Sequence, residues 1–348
     1  MLVTYADEVA LIGEILRTHG ASAMPAGVQA RWLTEADLRG HPSHGLQRVR
    51  TIVGRMRGGL IEADSRPELQ WRSPSALVVD GRRGFGPVVG LATIRELVRR
   101  VGATGVAIGA VHGANHLGLL GPYVEEIAED GLIGAAMTTS EALVHAWGGH
   151  TRMLGTNPIA IGIPAEQGPF VLDMATGAVS MGRVLAHART RIPLEEGWAV
   201  DDTGAPTLDP DLAVAGAISP FGGPKGYGLG LAVELLVAAL TGTALGTAVH
   251  GTLDAECEST KGDLFMVIDP GDFGVDEIPG RLSRYLQEVR RSGSSEPGKE
   301  VAVPGDRSRS ARARGLSEGF TVDDGVWREA EELLQVAESD LQLERTKR

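Results

Sequence analysis

From residue 75 onward the chain repeats one pattern, in which a short apolar run is closed by turn-forming residues. The runs are SALVVDG (75–81), GVAIGAVH (105–112), LIGAAMTTS (132–140), PIAIGIP (158–164), PFVLDMAT (169–176) and DLFMVIDP (263–270). Runs this short, bounded by Gly, Pro, Asp or Thr, are typical of buried strands. Between them, apolar residues at helical spacing occupy about 88–101, 121–131 and 226–241. The pattern therefore predicts a mixed α/β centre.

Both ends of the chain instead predict helices. Residues 5–19 and 25–38 carry apolar side chains at helical spacing. Near the C-terminus, Asp323 or Asp324 can cap a last helix. The apolar face of this helix would comprise Trp327, Ala330, Leu334 and Ala337. We expect the terminal helices to pack together as one layer.

The polar segment 291–315 is rich in Ser, Gly, Pro and Arg, a composition typical of a long loop. Together with the helical ends, it suggests two domains. We expect a helical domain from 1–72 and 315–348, and a mixed-sheet domain from 73–314 that holds the site.

Composition excludes several classes of function. The net charge of −12 argues against nucleic-acid binding, which needs a basic surface. We find no apolar run of 18 residues, and the acidic N-terminus is unlike a signal peptide, so no membrane partner is expected. The single cysteine, Cys257, fits a reducing compartment, and the carboxylates around it disfavour a reactive thiolate. We therefore expect a cytoplasmic protein, and no Cys/His cluster with ligand spacing suggests a metal site.

Glycines at 84, 86 and 90 suggest a dinucleotide-binding turn, but their spacing is wrong. They give G-x-G-x-x-x-G where the fingerprint has G-x-G-x-x-G, and no acidic residue ends a second strand about 20 residues later. A tight turn into a helix is the simpler interpretation, so we expect no Rossmann site here.

A second glycine-rich turn, SPFGGPKGYG at 219–228, leads into an apolar helix. Backbone N–H groups at the start of a helix can bind an anion. Lys225 is one of four lysines among 33 basic residues, in a chain that otherwise uses arginine. Lys225 is therefore a candidate phosphate or ribose donor, and a purely structural turn is the alternative.

Two polar segments carry histidines that could do chemistry. RGHPSHGLQR, at 39–48, is either a solvated connector or the edge of an active site. In the second case an imidazole would transfer a proton and a guanidinium would hold a carboxylate. Asn115 and His116 lie at a strand-to-helix turn, where His116 either meets a substrate or is a buried structural residue. Taken singly, these residues leave the alternatives open.

Taken in order, the motifs resemble the malate/L-lactate dehydrogenase family, which also holds ureidoglycolate, sulfolactate and diketogulonate dehydrogenases and cyclic ketimine reductases. The motifs are RGHPSHGLQR, ANHLGLLGPY, LGTNPIAIGIP, LDMATG, IPLEEGWAVDDTGAPTLDP, GPKGYGLGLAVELL and VPGD, and the resemblance spans about residues 5–335. It implies the family's own α/β fold, a mixed sheet with helices and not a Rossmann fold. It also implies an NAD(P)-dependent oxidoreductase of small 2-hydroxy or 2-oxo acids, which works as a homodimer.

The resemblance also assigns roles to residues. It places acid/base catalysis on His44 and His116, with His116 as the first choice for proton transfer. Arg48 would hold the substrate carboxylate, and Ser43 and Asn115 would add substrate contacts. Contacts to NAD or NADP are implied at Ser140, Asp173, Met174, Ala175, Thr176, Lys225, Gly226, Pro304, Gly305 and Asp306. An imidazole with a pKa near its usual value of about 6.5 can carry the proton that accompanies hydride transfer.

The chain departs from the family pattern at several positions. The departures are Pro42 in place of Asp, Gly113 and Ala114 in place of Asn-Ser, and Gly177 and Arg183 within a Ser-x-x-x-x-Gly-Lys motif. Ala114 lacks a hydroxyl that could donate near the substrate, so the choice of substrate stays open. A reductase of cyclic 2-imino acids is one alternative, and a catalytically silent dimeric binding protein is another.

Overall fold

The computed structural model describes residues 1–274, 277–295 and 301–346. Its helices are α1 (Tyr5–Thr18), α2 (Ala23–Leu38), α3 (Val49–Arg57), α4 (Gly86–Val101), α5 (Gly121–Glu129), α6 (Met181–Thr190), α7 (Pro210–Ala215), α8 (Pro224–Thr241), α9 (Ile278–Arg290), α10 (Asp306–Glu318) and α11 (Asp324–Thr346). Its strands are β1 (Leu2–Val3), β2 (Glu68–Trp71), β3 (Ala76–Asp80), β4 (Val106–His112), β5 (Ile133–Thr138), β6 (Val144–His145), β7 (Arg152–Leu154), β8 (Ile159–Ile163), β9 (Phe170–Met174), β10 (Ala199–Val200), β11 (Pro206–Thr207), β12 (Ala217–Ile218), β13 (Asp263–Ile268) and β14 (Phe320–Thr321).

The main sheet has seven strands in the order β2-β3-β4-β13-β5-β8-β9. Strands β3 and β4 run parallel, and every other neighbouring pair in this sheet is antiparallel. All six predicted strands belong to it, as β3, β4, β5, β8, β9 and β13. The mixed α/β centre is confirmed, and a mixed sheet of this order is not a doubly wound parallel sheet.

Both faces of the main sheet are covered, which explains why its strands are continuous apolar runs and not alternating ones. On one face, α4 and α5 bury Tyr123 against Phe265 of β13, with the ring centroids 5.5 Å apart. On the other face, Val233 and Val237 of α8 pack on Ala110 of β4. Helices α4 and α8 thus pack against β4, and α5 packs against β9.

The terminal helices share one core, as the sequence predicted. Ile12 and Ile15 of α1 pack with Leu33 of α2 and with Trp327 and Ala330 of α11. The antiparallel pair β1 and β14 joins the two ends of the chain. The side chain of Ala337, predicted on the same face of α11, lies outside the described part of the molecule. Across the described ranges, none of the helices is long and apolar enough to cross a membrane.

A second, smaller sheet has the order β11-β10-β12-β6-β7. With α6 and α7 it forms a separate core, in which Val144, Val184 and Ile218 are buried. The sequence analysis predicts none of these elements, because strands of two or three residues leave no periodic pattern.

The prediction of a long loop at 291–315 is wrong for its last part, which forms α10 from Asp306 onward. The sequence of this helix has few apolar residues, so it shows no helical periodicity. Ion pairs help to hold the helix: Arg312 pairs with Glu35 of α2 at 2.9 Å, and Arg309 pairs with Asp306 at 3.0 Å. Residues 296–300 of the predicted loop lie outside the described residues. The division into 1–72 plus 315–348 and 73–314 remains a proposal, and its boundary at 315 falls inside α10.

Candidate active site

A cavity of about 660 Å³ lies between the terminal helices, the end of the main sheet and α6. Its wall gathers predicted residues from four separate parts of the sequence. They are Ser43, His44, Arg48, His116, Ser140, Asp173, Met174 and Ala175. The segment 39–48 is thus the edge of a cavity and not a solvated connector.

Two imidazoles meet in this wall. The rings of His44 and His116 are stacked, with centroids 5.5 Å apart and planes inclined by 28°. The hydroxyl of Ser43 lies 2.9 Å from Nδ1 of His44. The backbone N–H of Gly118 donates to Nδ1 of His116 at 3.0 Å, so the neutral His116 ring carries its proton on Nε2. The Gly118 contact thus fixes the tautomer of the neutral His116 ring, whereas the Ser43 hydroxyl fits either tautomer of His44.

Asn115 holds the His116 turn in place from behind. Its Nδ2 donates to the carbonyls of Arg83 at 2.8 Å and Gly84 at 3.1 Å, and its Oδ1 accepts from Nε of the buried Arg55 at 3.0 Å. Asn115 itself does not line the cavity. The substrate contact expected of Asn115 stays a prediction, and the contacts in place are those of a support for His116.

Two residues that the sequence analysis missed complete this support. Gly86, at the start of α4, approaches the His116 turn so closely that a Cβ there would lie 2.1 Å from the carbonyl oxygen of His116. Arg55 also donates to the carbonyl of Cys257 at 3.0 Å. The glycine pattern at 84–90, whose spacing does not fit a dinucleotide-binding turn, was the sequence signal that pointed to Gly86. Arg55 had no such signal, because α3, which carries it, was not predicted.

Arg48 projects into the cavity from the turn before α3. Nη2 of Arg48 donates to the carbonyl of Thr252. The next residue, Leu253, donates its backbone N–H to the carboxylate of Glu141 at 2.8 Å. Burial lowers the pKa of Arg48, and the nearby negative charge of Glu141 opposes that shift. A guanidinium has five N–H donors, so the contact with Thr252 leaves donors that can pair with a carboxylate.

The cavity makes both imidazoles weak bases. Burial, followed by the charge of Arg48, lowers the pKa of His44 to about 3. The same two causes, with His44 as the next, place the pKa of His116 well below its ordinary value. Without a bound anion, both rings are therefore neutral at neutral pH.

The end of β9 forms another part of the wall. Asp173 accepts a hydrogen bond at 2.6 Å from the backbone N–H of Gly121 at the start of α5. Burial raises the pKa of this carboxyl to about 6, although the hydrogen bonds from the backbone oppose the shift. Ser140 accepts from the backbone N–H of Thr156 at 3.0 Å. Thr176 is buried, and its hydroxyl donates to the carbonyl of Thr156 at 2.8 Å.

Lys225 and Gly226 lie in the first turn of α8, next to the end of β9. The backbone N–H of Phe221, just before this helix, donates to the carbonyl of Thr176 at 3.1 Å. Gly226 packs on Phe221, because a Cβ there would lie 2.0 Å from the Phe221 carbonyl oxygen. The helix has no side-chain cap, and Lys225 is exposed. An uncapped helix start beside a lysine suits a phosphate-bearing group, so these residues fit a nicotinamide nucleotide.

The structure does not bring Pro304, Gly305 and Asp306 to the cavity wall. Gly305 has a φ of +95° and packs against Val171 of β9. A Cβ placed on Gly305 would lie 3.1 Å from the Val171 carbonyl oxygen. Hydrogen bonds from Arg290 lower the pKa of Asp306 to about 2. The carboxylate of Asp306 thus ties α9 to α10, and its predicted contact with the cofactor stays a prediction.

Two of the departures from the family pattern, Ala114 and Arg183, do not line the cavity. Ala114 is buried against Gly81, where a Cβ on Gly81 would come within 2.9 Å, and it does not line the cavity. The missing hydroxyl at Ala114 is therefore not at the site, contrary to our expectation. Arg183 stacks its guanidinium 4.6 Å above the Trp198 ring.

Comparison with known proteins gives one consistent result. A sequence profile described as malate/L-lactate dehydrogenase matches residues 3–331. An L-sulfolactate dehydrogenase from Methanocaldococcus jannaschii is 36% identical over 96% of this chain and 96% of its own. A Delta(1)-pyrroline-2-carboxylate reductase from Ancylobacter novellus is 33% identical over 95% of this chain and 97% of its own. The crystal structure of a dehydrogenase from Sinorhizobium meliloti is 46% identical, with a TM-score of 0.92, and covers 96% of this chain and 98% of that one. The match extends over nearly the whole chain, so this protein belongs to the malate/L-lactate dehydrogenase family, which consists of NAD(P)-dependent oxidoreductases.

Proposed function

We propose that the cavity transfers a hydride between a nicotinamide cofactor and a small 2-hydroxy or 2-oxo acid. The observation that carries this proposal is the pair of stacked imidazoles beside Arg48. A carboxylate bound by Arg48 brings the neighbouring carbon and its oxygen next to both rings. A guanidinium that pairs through two N–H groups also fixes the orientation of the substrate, which is a large part of catalysis.

When bound, NAD or NADP gives or takes the hydride. Of this chain's residues, Ser140 and the backbone at Met174 and Ala175 would hold it in the cavity, with Lys225 and Gly226 at its phosphates. Thr176 would support this wall from behind, through its contact with Thr156. The cofactor specificity stays open between NAD and NADP.

The two histidines have different roles in this proposal. Because Gly118 donates to Nδ1 of His116, the neutral His116 ring can donate from Nε2 to the substrate oxygen. The Ser43 hydroxyl can accept a hydrogen bond from Nδ1 of His44, which leaves Nε2 of His44 free of a proton. We therefore assign proton transfer to His44 and oxygen binding to His116, the reverse of the ranking made from the sequence.

A bound carboxylate substrate would also raise the low basicity of the two imidazoles. The positive charge of Arg48 helps to lower the pKa of both rings. A bound carboxylate offsets that charge, so the pKa of His44 rises when substrate arrives. The ring then becomes able to hold the proton that leaves a hydroxyl group.

A substrate panel tests the proposal. The purified protein is mixed with NADH or NADPH and with pyruvate, oxaloacetate, sulfopyruvate or Δ1-pyrroline-2-carboxylate, and the absorbance of the reduced cofactor is followed. We expect a 2-oxo acid to be reduced, with sulfopyruvate the leading candidate because a relative is named a sulfolactate dehydrogenase. Reduction of the cyclic imine alone would favour the second candidate, suggested by the relative named a pyrroline-2-carboxylate reductase. No turnover on the panel, together with no binding of either cofactor, would favour a silent binding protein.

We further propose that the protein is a homodimer, joined through α8. Apart from Lys225 in its first turn and the buried Glu234, this helix carries no charged side chain. Val233 and Val237 are buried, while Leu235, Leu236 and Leu240 are exposed. A row of exposed leucines on one helix can be buried by packing against the same surface of a second copy of the chain. Light scattering should give twice the mass of the chain, and Leu236→Glu should halve it. A monomeric wild-type protein would contradict the proposal.

A cytoplasmic location is the remaining proposal. Its support is the exposed, unpaired Cys257, which suits a reducing compartment. Cell fractionation with an antibody against the protein would test it.

A further inference from the structure

Two carboxyl groups lie together beneath the segment that carries His44 and Arg48. Glu8 of α1 is 0% exposed, and neither of its carboxyl oxygens receives a hydrogen bond from a donor in the described part of the chain. The group beside it is the carboxyl of Asp37 on α2. A buried acid without a cation or a donor is costly, so this arrangement calls for an explanation.

Asp37 touches the active-site segment directly. Its Oδ2 accepts a hydrogen bond at 2.6 Å from the backbone N–H of Leu46. It also fills the space beside Gly45, where a Cβ would lie 1.9 Å from Oδ2 and 2.2 Å from Cγ of Asp37. The carboxylate of Asp37 therefore fixes the backbone halfway between His44 and Arg48.

A proton on Glu8 makes the pair stable. Burial, followed by the charge of Asp37, raises the pKa of Glu8 to about 10. Burial also raises the pKa of Asp37, but the hydrogen bonds from Glu8 and from Leu46 oppose that shift. Glu8 thus donates its proton to Asp37, and Asp37 keeps the negative charge that binds the Leu46 N–H.

Other charged groups around the pair face elsewhere. Helix α1 packs on α2 and α11, and Asp37 is the ionisable group on them whose charge acts on Glu8 among the described residues. His44 and Arg48, on the segment above, line the cavity. Neither carboxyl lines the cavity itself, although Asp37 borders an adjoining pocket that shares Ser43 and Gln47 with it. The contact of the pair with His44 and Arg48 runs through the backbone at 45–46.

We propose that Glu8 and Asp37 are positioning residues, a carboxyl pair with one shared proton that holds His44 and Arg48 in register for catalysis. The proposal rests on the function proposed above for that segment. The proposed role accounts for a buried acid on α1, although α1 contributes no residue to the cavity wall.

The shared proton links stability to pH. The pKa of Glu8 in the folded state is above its value of 4.5 in the unfolded chain, so folding takes up a proton between these limits. The stability that the protonated pair contributes is complete below about pH 4.5 and is lost as the pH rises through about 10. Glutamine at position 8 has the same shape, donates from its amide to Asp37 and has no proton to lose.

The experiment compares Glu8→Gln and Glu8→Ala with Ile12→Ala. Ile12 is buried one turn further along α1, in the same core, and makes a matched control for lost packing. We expect Glu8→Ala to lower kcat/KM about tenfold, the scale of one lost hydrogen bond, with cofactor Kd unchanged. Glu8→Gln should retain most of the activity, and Ile12→Ala should lose stability but keep kcat/KM.

Thermal unfolding at several pH values gives the second readout. The melting temperature of Glu8→Gln should exceed that of the wild type at pH 9, and the difference should narrow towards pH 5. The proposal is overturned if Glu8→Ala keeps the wild-type kcat/KM, or if Glu8→Gln is as impaired as Glu8→Ala, or if that difference does not change with pH. Full turnover in His44→Ala would instead overturn the function proposed for the segment.

Discussion

The two sides of the cavity differ in how their residues are held. On the histidine side, formed by His44, Arg48 and His116, backbone and side chains are fixed by buried hydrogen bonds through Asn115 and Asp37. On the nucleotide side, formed by the end of β9 and the start of α8, Lys225 is exposed and the helix start is uncapped. The proposed acid/base groups are thus held by the protein itself, whereas the proposed nucleotide side offers exposed groups that a bound cofactor would cover. Substitutions should therefore act on turnover on the first side and on cofactor affinity on the second.

The largest effect is expected from the histidines. His44→Ala and His116→Ala should each lower kcat by roughly 10²–10⁴-fold, the usual range for losing a proton-transfer group. Glutamine separates their roles, because Gln at 116 can still donate to the substrate oxygen while Gln at 44 cannot accept a proton. His116→Gln should keep more activity than His44→Gln in steady-state assays.

Folding of these variants is the control, measured by melting temperature and by cofactor titration. Near-normal rates in both alanine variants would remove the proposed mechanism. A greater loss in His116→Gln than in His44→Gln would return proton transfer to His116.

The next effect concerns Arg48. Arg48→Lys should raise KM for a carboxylate substrate by roughly 30- to 1000-fold, about 2–4 kcal/mol, because an ammonium cannot replace a planar pairing through two N–H groups. Cofactor Kd should hardly change, since Arg48 belongs to the histidine side. Saturation kinetics with each ligand in turn separate the two constants. If cofactor affinity fell and substrate affinity did not, Arg48 would belong to the nucleotide side instead.

For Lys225, on the nucleotide side, we expect the substitution to change cofactor affinity. Lys225→Met should weaken cofactor binding by about 1–3 kcal/mol, the scale of a charge-assisted hydrogen bond. The melting temperature without cofactor should hardly move, because the side chain is exposed. Fluorescence titration with reduced cofactor measures the first quantity, and Arg183→Met, which removes another exposed basic residue, is the control. Unchanged affinity with a large loss of stability would mean that Lys225 is structural.

The two sides also differ in how far the sequence could predict them. Six of the seven strands of the main sheet follow from apolar runs, and eight residues of the cavity wall follow from ordered motifs. The support behind His116 does not, because Arg55 comes from α3, a helix that the sequence analysis missed, and meets Asn115 60 residues away in sequence. Likewise, nothing local in the sequence shows that Glu8 faces Asp37, since helix packing decides which side chains meet. α10 was missed because ion pairs help to hold it, without an apolar periodicity.

The smallest effect, and the sharpest test of a preformed histidine side, is the pH profile. In the proposed mechanism, oxidation of a hydroxy acid needs the neutral imidazole of His44, whose pKa is lowered to about 3 by burial and by Arg48. A lowered pKa keeps the base form present above it, so activity is lost only as the pH falls through it. We therefore expect kcat/KM for oxidation to stay level between about pH 5 and 9, without the fall below about 6.5 that an unperturbed histidine would give. Because a bound carboxylate offsets the charge of Arg48, the acidic limb of kcat should lie at higher pH than the limb of kcat/KM. Rate measurements at saturating and at low substrate provide both limbs, and Asp173→Asn, which removes the cavity-wall carboxyl whose pKa is raised to about 6, is the control. A fall of kcat/KM centred near 6.5 that persists in Asp173→Asn would show that the free site does not depress the basicity of His44.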